Sequence, residues 1–372
     1  MVSLVNQLVY TFACMSDLLR LELTTPVIDH RPVFVSGNFC DWHPHAEPLQ
    51  MQPMEPGRYV LEFPADHPLP DIIEYKYNRG GWDHVELDAS GEGVPNRILT
   101  LHRGTQSDFV PHWRWYGHTF NPAFLPKIEL ISDDFHLPQL DTTRRIQVLL
   151  PHDYQTTNKH YPVLYLHDGQ NLCGEGSEFG CWEVDNKLAL LASRHRHEVI
   201  LVTIDHGAEE RIRDYTLHRT RAGQGRGRQY LEFIVQSLKP FIDTHFRTIP
   251  DAGHTGMGGS SLGGLISIYA GIMFPEVFGR LMIFSPALWI SPKIYFDAIK
   301  FAAPVPMKVY AYGGGAESSY MVPNLQRFND ALLRQHYGGL SIDLHVSIDP
   351  EGTHQEAHWS REFPKAVEWL FY

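Results

Sequence analysis

The segment Gly256-Met-Gly-Gly-Ser-Ser-Leu-Gly-Gly-Leu265 decides the fold of this 372-residue chain. It contains Gly-x-Ser-x-Gly around Ser261, a pattern typical of a serine on a sharp turn between a strand and a helix. A glycine-rich stretch can also form an ordinary turn, so the flanking residues decide. Residues 254–258 can form a short strand, and the apolar residues 262–273 are long enough for a buried helix. No Gly-Lys-Ser/Thr follows, which argues against a phosphate-binding loop.

The length of 372 residues predicts two domains, or one large domain with a small module. With 43% hydrophobic residues, the chain can bury a substantial core. Its net charge is −12, from 31 Lys and Arg against 43 Asp and Glu, which argues against a nucleic-acid partner. No apolar stretch is long enough to cross a bilayer, so we expect no membrane partner either.

The first residues are mildly apolar and contain no basic side chain before Arg20. We therefore expect no cleaved secretory signal and a cytoplasmic protein, with Met15 as an alternative start. The four cysteines form no Cys-x-x-Cys pair, which argues against a zinc knuckle or a redox pair. Cys173 and Cys181 could bridge a loop, but reduced thiols are the expectation for a cytoplasmic protein.

The chain has 22 histidines, which raises the question of a metal site. His43 and His45 flank a proline, and His195 and His197 flank an arginine. Neither pair has the His-Glu-x-x-His spacing that places two ligands on one helix face. We expect no catalytic metal and no cofactor.

Two parts of the chain follow different patterns. Residues 1–110 contain short apolar segments separated by turn residues, which predicts an all-β domain of the immunoglobulin-like sandwich type. Residues 111–126 are rich in proline and tryptophan and are predicted to be a linker that packs on the protein. Residues 127–372 alternate apolar strands with helices, which predicts a mostly parallel sheet covered by helices.

The predicted elements follow from apolar alternation, continuous apolar runs and helical spacing. The predicted strands span residues 32–36, 57–63, 72–77, 97–101, 145–150, 163–167, 199–204, 281–284, 308–312 and 343–347. Besides the helix after Ser261, the predicted helices span residues 230–241, 324–335 and 364–371.

A serine hydroxyl is a weak nucleophile until a base takes its proton, so Ser261 needs an acid and a histidine later in the chain. Glu317 follows the predicted strand 308–312 and is the expected acid. Asp330 is the alternative, but it lies within a helical pattern. His354 follows the predicted strand 343–347 and is the expected base, with His358 as its alternative. The sequence therefore predicts an acyl hydrolase with Ser261 as its nucleophile.

Two backbone N–H groups are expected to stabilise the oxyanion. One belongs to Leu262, directly after the nucleophile, and the other to Gln170, after the predicted strand 163–167. Trp182 and Trp289 are candidates for the wall of a substrate pocket, with core packing as the alternative. Arg211 is a candidate for binding a substrate anion, or else for pairing with a surface acid.

The C-terminal part resembles the esterase D-like family of α/β hydrolases, close to the enterochelin and feruloyl esterases. The resemblance implies an α/β hydrolase fold and a serine esterase with a Ser-His-Glu triad. In the family pattern, the histidine followed two residues later by Glu is the base, which favours His354. The implied substrate is a sugar-linked feruloyl or acetyl ester, or a siderophore lactone. The segments that carry the resemblance are residues 144–154, 164–172, 210–216, 258–264, 284–289 and 354–359.

The N-terminal part looks like a starch-binding or glycogen-binding β-sandwich. The likeness implies that sugars would stack on Trp42 beside Lys76 and Asn96. The second tryptophan of the family pattern falls on Leu87, with Trp82 offset nearby. A packing module that shapes the esterase cleft is therefore the alternative. The segments that carry this likeness are residues 37–42, 74–77 and 95–97.

Three functions remain open at this point. Hydrolysis of a small-molecule or carbohydrate-linked ester is the leading hypothesis. Acyl transfer to an alcohol would use the same triad. A carbohydrate-binding protein with a degenerate hydrolase domain is the non-enzymatic alternative. We also leave open a homodimer.

Overall fold

The computed structural model describes residues 18–63, 66–100, 103–194, 198–334 and 342–372. The chain divides into two compact units, Met1–Asn121 and Pro122–Tyr372. This boundary falls within the predicted linker, and residues before it pack in the first unit, where Trp113 is buried in the core. The predictions for Met15 and for the His195 and His197 pair lie outside the described residues.

The first unit is a β-sandwich built around one hydrophobic core. One sheet has the order β3-β4-β1-β8, a second has the order β2-β5-β7, and β6 pairs with β9. Both larger sheets contribute buried side chains to the same core, such as Leu21 from the first sheet and Tyr75 from the second. Its strands are β1 Leu19–Thr24, β2 Phe34–Gly37, β3 Gln52–Glu55, β4 Arg58–Phe63, β5 Ile73–Asn78, β6 Glu86–Leu87, β7 Arg97–Leu99, β8 Gly104–Phe109 and β9 His112–Trp113.

The second unit is an eight-stranded sheet of order β10-β11-β13-β12-β14-β15-β16-β17. Strands β12 to β17 run parallel, whereas β10 and β11 form an antiparallel edge. The strands are β10 Lys127–Leu137, β11 Thr142–Leu150, β12 Val163–His167, β13 Ile200–Ile204, β14 Thr255–Ser260, β15 Arg280–Phe284, β16 Met307–Gly314 and β17 Ile342–Asp349. This is the mostly parallel sheet of an α/β hydrolase fold.

Helices cover both faces of this sheet. Every residue of β12, β13 and β14 is buried, so neither face of these strands is exposed to solvent. Two apolar clusters, one on each side, form the core of this unit. Within the described ranges, none of the helices has the length and apolar character that crossing a membrane requires. The helices are α1 Val184–Ala192, α2 Arg211–Asp214, α3 Gly227–Phe233, α4 Lys239–His245, α5 Leu262–Met273, α6 Ile294–Lys300, α7 Met321–Leu333 and α8 Glu356–Phe371, with a π-helical turn Ile234–Leu238 joining α3 to α4.

The last helix begins eight residues before the predicted start at Pro364. Proline inside a helix is unfavourable, because it removes a backbone hydrogen bond. Burial outweighs this cost, since Trp359, Phe363, Val367 and Leu370 share one face and join the same core cluster. The earlier start places His358 within α8.

Candidate active site

Ser261 lies at the junction of β14 and α5, at the carboxyl edge of the parallel strands, where α/β sheets place their sites. Its φ of 56° and ψ of −117° are unfavourable for a residue with a side chain. The backbone is held from both sides: Ser261 N–H donates to Phe284 O at 2.9 Å, and Ala287 N–H donates to Ser261 O at 2.9 Å. A Cβ on Gly263 would lie 3.3 Å from Cβ of His167, so the glycine lets α5 cross close to β12.

Glu317 follows β16 and is almost fully enclosed, with 2% of its side chain exposed. Its Oε1 accepts hydrogen bonds from Gly314 N–H at 2.7 Å and from Ser285 Oγ at 2.5 Å. Its Oε2 lies 2.6 Å from Nδ1 of His354. A Cβ on Gly314 would lie 2.2 Å from Gly352 O, so the glycine allows the end of β16 to touch the loop after β17. The acid and base positions are thus adjacent.

His354 lies in the loop between β17 and α8, with 37% of its side chain exposed. The ring of Trp359 packs against it at a centroid distance of 5.0 Å and an angle of 86°. His358, the alternative base, faces different partners: its Nδ1 lies 3.3 Å from Asp349 Oδ2 and 2.6 Å from Arg361 Nη2. Asp330, the alternative acid, is exposed on α7. The structure therefore pairs His354 with Glu317 and pairs neither alternative with them.

The two expected oxyanion donors both lie at helix starts, where backbone N–H groups have no partner within the helix. Leu262 is the first residue of α5, and Gln170 is the second residue of the 3-10 helix Gly169–Asn171. The Gln170 side chain is anchored to the backbone of His206 by two hydrogen bonds of 3.1 Å. The anchoring fixes the loop that carries the Gln170 N–H.

The same loop is held by a bidentate ion pair between Arg211 and Asp168, at 2.7 and 2.8 Å. Burial by itself would lower the pKa of the Arg211 guanidinium. The negative charge of Asp168 outweighs this effect, so the pKa is raised. Of the two interpretations, the structure thus supports ion pairing, although the acid is buried rather than on the surface. Burial also lowers the pKa of the neighbouring His167 to about 4, so this histidine is neutral at pH 7.

The prediction that Trp182 lines a substrate pocket is wrong. The side chain is 2% exposed and stacks on Phe284 at 5.3 Å and 19° within a core cluster. A large aromatic ring gains more from burial in the core than from a wet pocket wall. Trp289, by contrast, is 53% exposed.

A cavity of about 600 Å³ lies beside the acid and base positions. Its walls are mostly apolar, and Tyr320, Met321 and Asn324 belong to the start of α7 or directly precede it. Sequence reasoning missed these three residues, because only the packing of α7 brings them next to His354. The cavity is lined by Trp289, Glu317, Ser318, Tyr320, Met321, Asn324 and His354.

Two other groups of residues in this unit, a set of metal-ligating side chains and a pair of cysteines, are weaker candidates for a functional site. In the described part of the chain, His152, Asp153 and Glu198 are the group whose ligand atoms lie close enough for a metal ion. Lys159 Nζ already lies 2.6 Å from Asp153 and 2.8 Å from Glu198. The lysine thus supplies the positive charge that a metal ion would otherwise bring to these carboxylates. Cys173 and Cys181 are free, and burial raises the pKa of both thiols, so neither is an activated nucleophile.

In the first unit, Trp42 and Trp82 form an aromatic pair with a centroid distance of 6.3 Å and an angle of 47°. Trp82 is 39% exposed, whereas Leu87 is buried. Lys76 Nζ donates a hydrogen bond to Val94 O, and burial lowers the pKa of this lysine. Asn96 Nδ2 donates to Glu74 Oε2 at 3.1 Å. Trp82, and not the Leu87 position, is thus the aromatic neighbour of Trp42.

Comparison with known proteins agrees with this architecture. The uncharacterized protein YbbA of Bacillus subtilis (strain 168) is 27% identical over 246 residues, covering 61% of this chain and 92% of that protein. An amylopullulanase of Thermoanaerobacter thermohydrosulfuricus is 33% identical over 110 residues, which is 26% of this chain and 7% of that enzyme. The enterobactin esterase FES of Shigella flexneri shares the fold, with a TM-score of 0.53, 15% identity and coverage of 95% of this chain and 92% of that chain. A family model described as "Putative esterase" matches residues 138–370, and the chain therefore belongs to this esterase family.

Proposed function

We propose that this chain hydrolyses carboxylic esters through a triad of Ser261, His354 and Glu317. The observation that carries the proposal is the 2.6 Å contact between Glu317 and His354 on the same sheet edge as the strained serine turn. Membership of an esterase family supports the same reaction class. The chain order Ser, Glu, His is the order that α/β hydrolases use.

The mechanism follows from the roles of these three side chains. Ser261 Oγ attacks the ester carbonyl carbon while His354 takes its proton, and Glu317 orients the imidazole and stabilises its positive charge. The N–H groups of Leu262 and Gln170 stabilise the negative oxygen of the tetrahedral intermediate. The alcohol leaves with the proton from His354, and water then hydrolyses the acyl-enzyme to the carboxylic acid.

The nucleophile is tested by turnover of p-nitrophenyl acetate. We expect Ser261→Ala to lose at least about 1,000-fold in kcat, since triad members act as a unit. Ser260→Ala is the matched control, because it makes the same change at the adjacent, buried serine. A fluorophosphonate should label Ser261: its Oγ bonds phosphorus and fluoride leaves, so the peptide that carries Ser261 should gain the mass of the phosphonyl group. Equal turnover by wild type and Ser261→Ala would remove the proposal.

We propose that the cavity of about 600 Å³ receives the acyl group of the substrate. Trp289, Tyr320 and Met321 give it apolar walls, which favour an aromatic acyl group over an acetyl group. A panel of feruloyl, acetyl and siderophore esters should give the highest kcat/KM for an aromatic acyl group. Trp289→Ala should lower kcat/KM for that ester by about tenfold, because one buried apolar contact contributes about 1–3 kcal/mol. An acetyl ester that reacts best in both proteins would contradict this assignment.

Acyl transfer to an alcohol is the closest competitor, since it needs the same three side chains. Measuring the ratio of acid to new ester as glycerol is added to the assay separates the two reactions. We expect the acid to remain the main product. A wild-type protein that turns over none of the esters would instead favour a non-catalytic role.

The Trp42 and Trp82 pair supports a second proposal, that the first unit binds a carbohydrate. Sugar rings stack on exposed aromatic faces, and an amylopullulanase is among the proteins similar to part of this chain. We expect starch or xylan to retard the wild type in affinity gels, and Trp42→Ala and Trp82→Ala to move faster. Ile98→Ala is the control, since Ile98 is 68% exposed on β7. Equal mobility of all four proteins would favour a packing module.

A further inference from the structure

We infer that Ser285 is a positioning residue for the triad, held in place by Trp359, an inference that rests on the proposed esterase function. Ser285 is fully buried directly after β15, and its φ of 44° is a left-handed value that a serine adopts at a cost. Its Oγ donates to Glu317 Oε1 at 2.5 Å and accepts from Trp359 Nε1 at 2.9 Å. The hydroxyl thus donates a hydrogen bond to the carboxylate and accepts one from the indole.

These contacts determine which oxygen of Glu317 faces the base. Ser285 and Gly314 both donate to Oε1, which leaves Oε2 for His354. The terminal torsion of glutamate is broad and roughly two-fold, so the carboxylate needs such partners to hold one orientation. Without the Ser285 hydroxyl, Oε1 would lose one of these two donors and keep the Gly314 N–H, so the plane of the carboxylate would be held less firmly.

Trp359 connects the two ends of the pair. Its N–H holds Ser285, while its ring packs edge-on against His354 at 5.0 Å. The indole is 3% exposed and belongs to the core cluster that also contains Trp182 and Phe284. One buried aromatic side chain therefore positions both residues: it contacts the base directly and holds the acid through Ser285.

The segment that carries Ser285 also holds the nucleophile. Phe284 O accepts the N–H of Ser261, and Ala287 N–H donates to Ser261 O, both at 2.9 Å. Residues 284–287 therefore contact the backbone of the nucleophile and the carboxylate of the acid at once. A shift of this segment would change the geometry of all three triad members.

A purely structural role is the competing explanation, in which Ser285 only satisfies the buried indole N–H. Ser285→Gly separates the two, because glycine removes the hydroxyl but also relieves the left-handed backbone. We expect its melting temperature to stay within a few degrees of wild type or to rise, while kcat falls about 10- to 100-fold. KM should change by less than about twofold, since neither hydroxyl nor indole lies in the cavity lining.

The pH profile of kcat/KM supplies a readout that a structural role does not move. Losing a donor to Oε1 leaves more negative charge on the carboxylate, which favours the imidazolium form of the base. We expect the acidic limb of the profile to move to higher pH in Ser285→Gly and Ser285→Ala. The ionisable groups that interact with this pair, among them Tyr312 and Glu356, are the same in every variant.

Three further variants complete the experiment. Trp359→Phe keeps an aromatic ring beside His354 but removes the N–H, and should move the limb in the same direction; it decides the question if neither Ser285 variant folds. Ser267→Ala, which loses a buried hydroxyl bonded to Gly263 O at 2.7 Å, and Trp182→Phe are the controls and should leave the limb in place. Wild-type kcat and pH profile in Ser285→Gly, or an equal shift in the controls, would overturn the inference. Turnover that survives Ser261→Ala would instead overturn the esterase mechanism itself.

Discussion

Nδ1 of His354 lies 2.6 Å from Oε2 of Glu317, whose side chain is 2% exposed. We expect Glu317→Gln to lower kcat by about 1,000- to 10,000-fold, because the amide can stabilise the wrong tautomer of the histidine. Asp330→Asn makes the same change on exposed α7 and should retain wild-type kcat. Ester turnover by both variants checks the assignment, and a loss confined to Asp330→Asn would transfer the acid role to that residue.

The backbone strain at Ser261 predicts a trade-off between stability and activity. Glycine is usually less stabilising than alanine at the same position, because it has more freedom in the unfolded chain. With φ at 56° and ψ at −117°, the order should reverse, and Ser261→Gly should be more stable than Ser261→Ala by about 1 kcal/mol. Urea unfolding of the two variants measures the difference. A Gly variant less stable than the Ala variant would mean that the turn is unstrained.

The ion pair between Arg211 and Asp168 should stabilise both the fold and the loop that carries the Gln170 N–H. Arg211→Met leaves a buried carboxylate without its partner and should lower the free energy of unfolding by about 3 kcal/mol, with a fall in kcat. Arg211→Lys should recover only part of the loss, since lysine lacks the second parallel hydrogen bond.

The double variant Asp168→Asn with Arg211→Met tests the same pair by a double-mutant cycle. Asparagine tolerates the left-handed backbone of Asp168, whose φ is 62°. Removing both charges should therefore be less destabilising than Arg211→Met alone. Additive losses in urea unfolding would show that the two side chains are not coupled.

The burial of Asp205 predicts that the difference in stability between wild type and Asp205→Asn depends on pH. Burial raises the pKa of this carboxyl to about 6, against 3.8 for an unperturbed one, and its Oδ1 is buried without a hydrogen bond. The folded form holds the proton over that range and the unfolded form does not, so wild-type stability falls as pH rises from about 3.8 to about 6. Asp205→Asn removes this loss and should gain stability relative to wild type across the range, by at most about 1.4 kcal/mol per pH unit.

The measurement compares urea unfolding of Asp205→Asn and wild type at pH 4.5 and pH 7. His167 contributes the opposite slope, because its pKa is lowered to about 4 and its stabilisation is lost as pH falls below about 6.5. That contribution is common to both proteins and cancels in the difference. A stability difference that is the same at the two pH values would contradict the prediction.

Much of the parallel sheet could be predicted because its strands are continuous apolar runs. Strand β12 matches the predicted range 163–167, and its five residues are all buried. The positions of Glu317 and His354 followed from a general rule, that parallel strands place their carboxyl ends at one edge of the sheet. The N-terminal strand β1 was missed although Leu19, Leu21 and Leu23 alternate, because its neighbours are far away in the sequence.

Errors arose where burial, rather than local pattern, decides the outcome. Trp182 and Trp289 have the same side chain, yet one stacks on Phe284 in the core and the other is half exposed beside the cavity. Pro364 looked like a helix start, but the apolar face of α8 continues through it. Neither outcome follows from local propensity, since each depends on what packs from elsewhere in the chain.

The sequence by itself determined the α/β organisation, the strand-to-helix turn at Ser261, and the order of an acid and a histidine after later strands. These features depend on local pattern and on the chain direction of parallel strands. Only the tertiary structure decided that Glu317 presents Oε2 to His354, with Ser285 and Gly314 on its other oxygen. The physical reason is that a buried carboxylate takes its orientation from the hydrogen-bond donors around it, and those donors lie directly after β15, at the end of β16 and in the loop after β17.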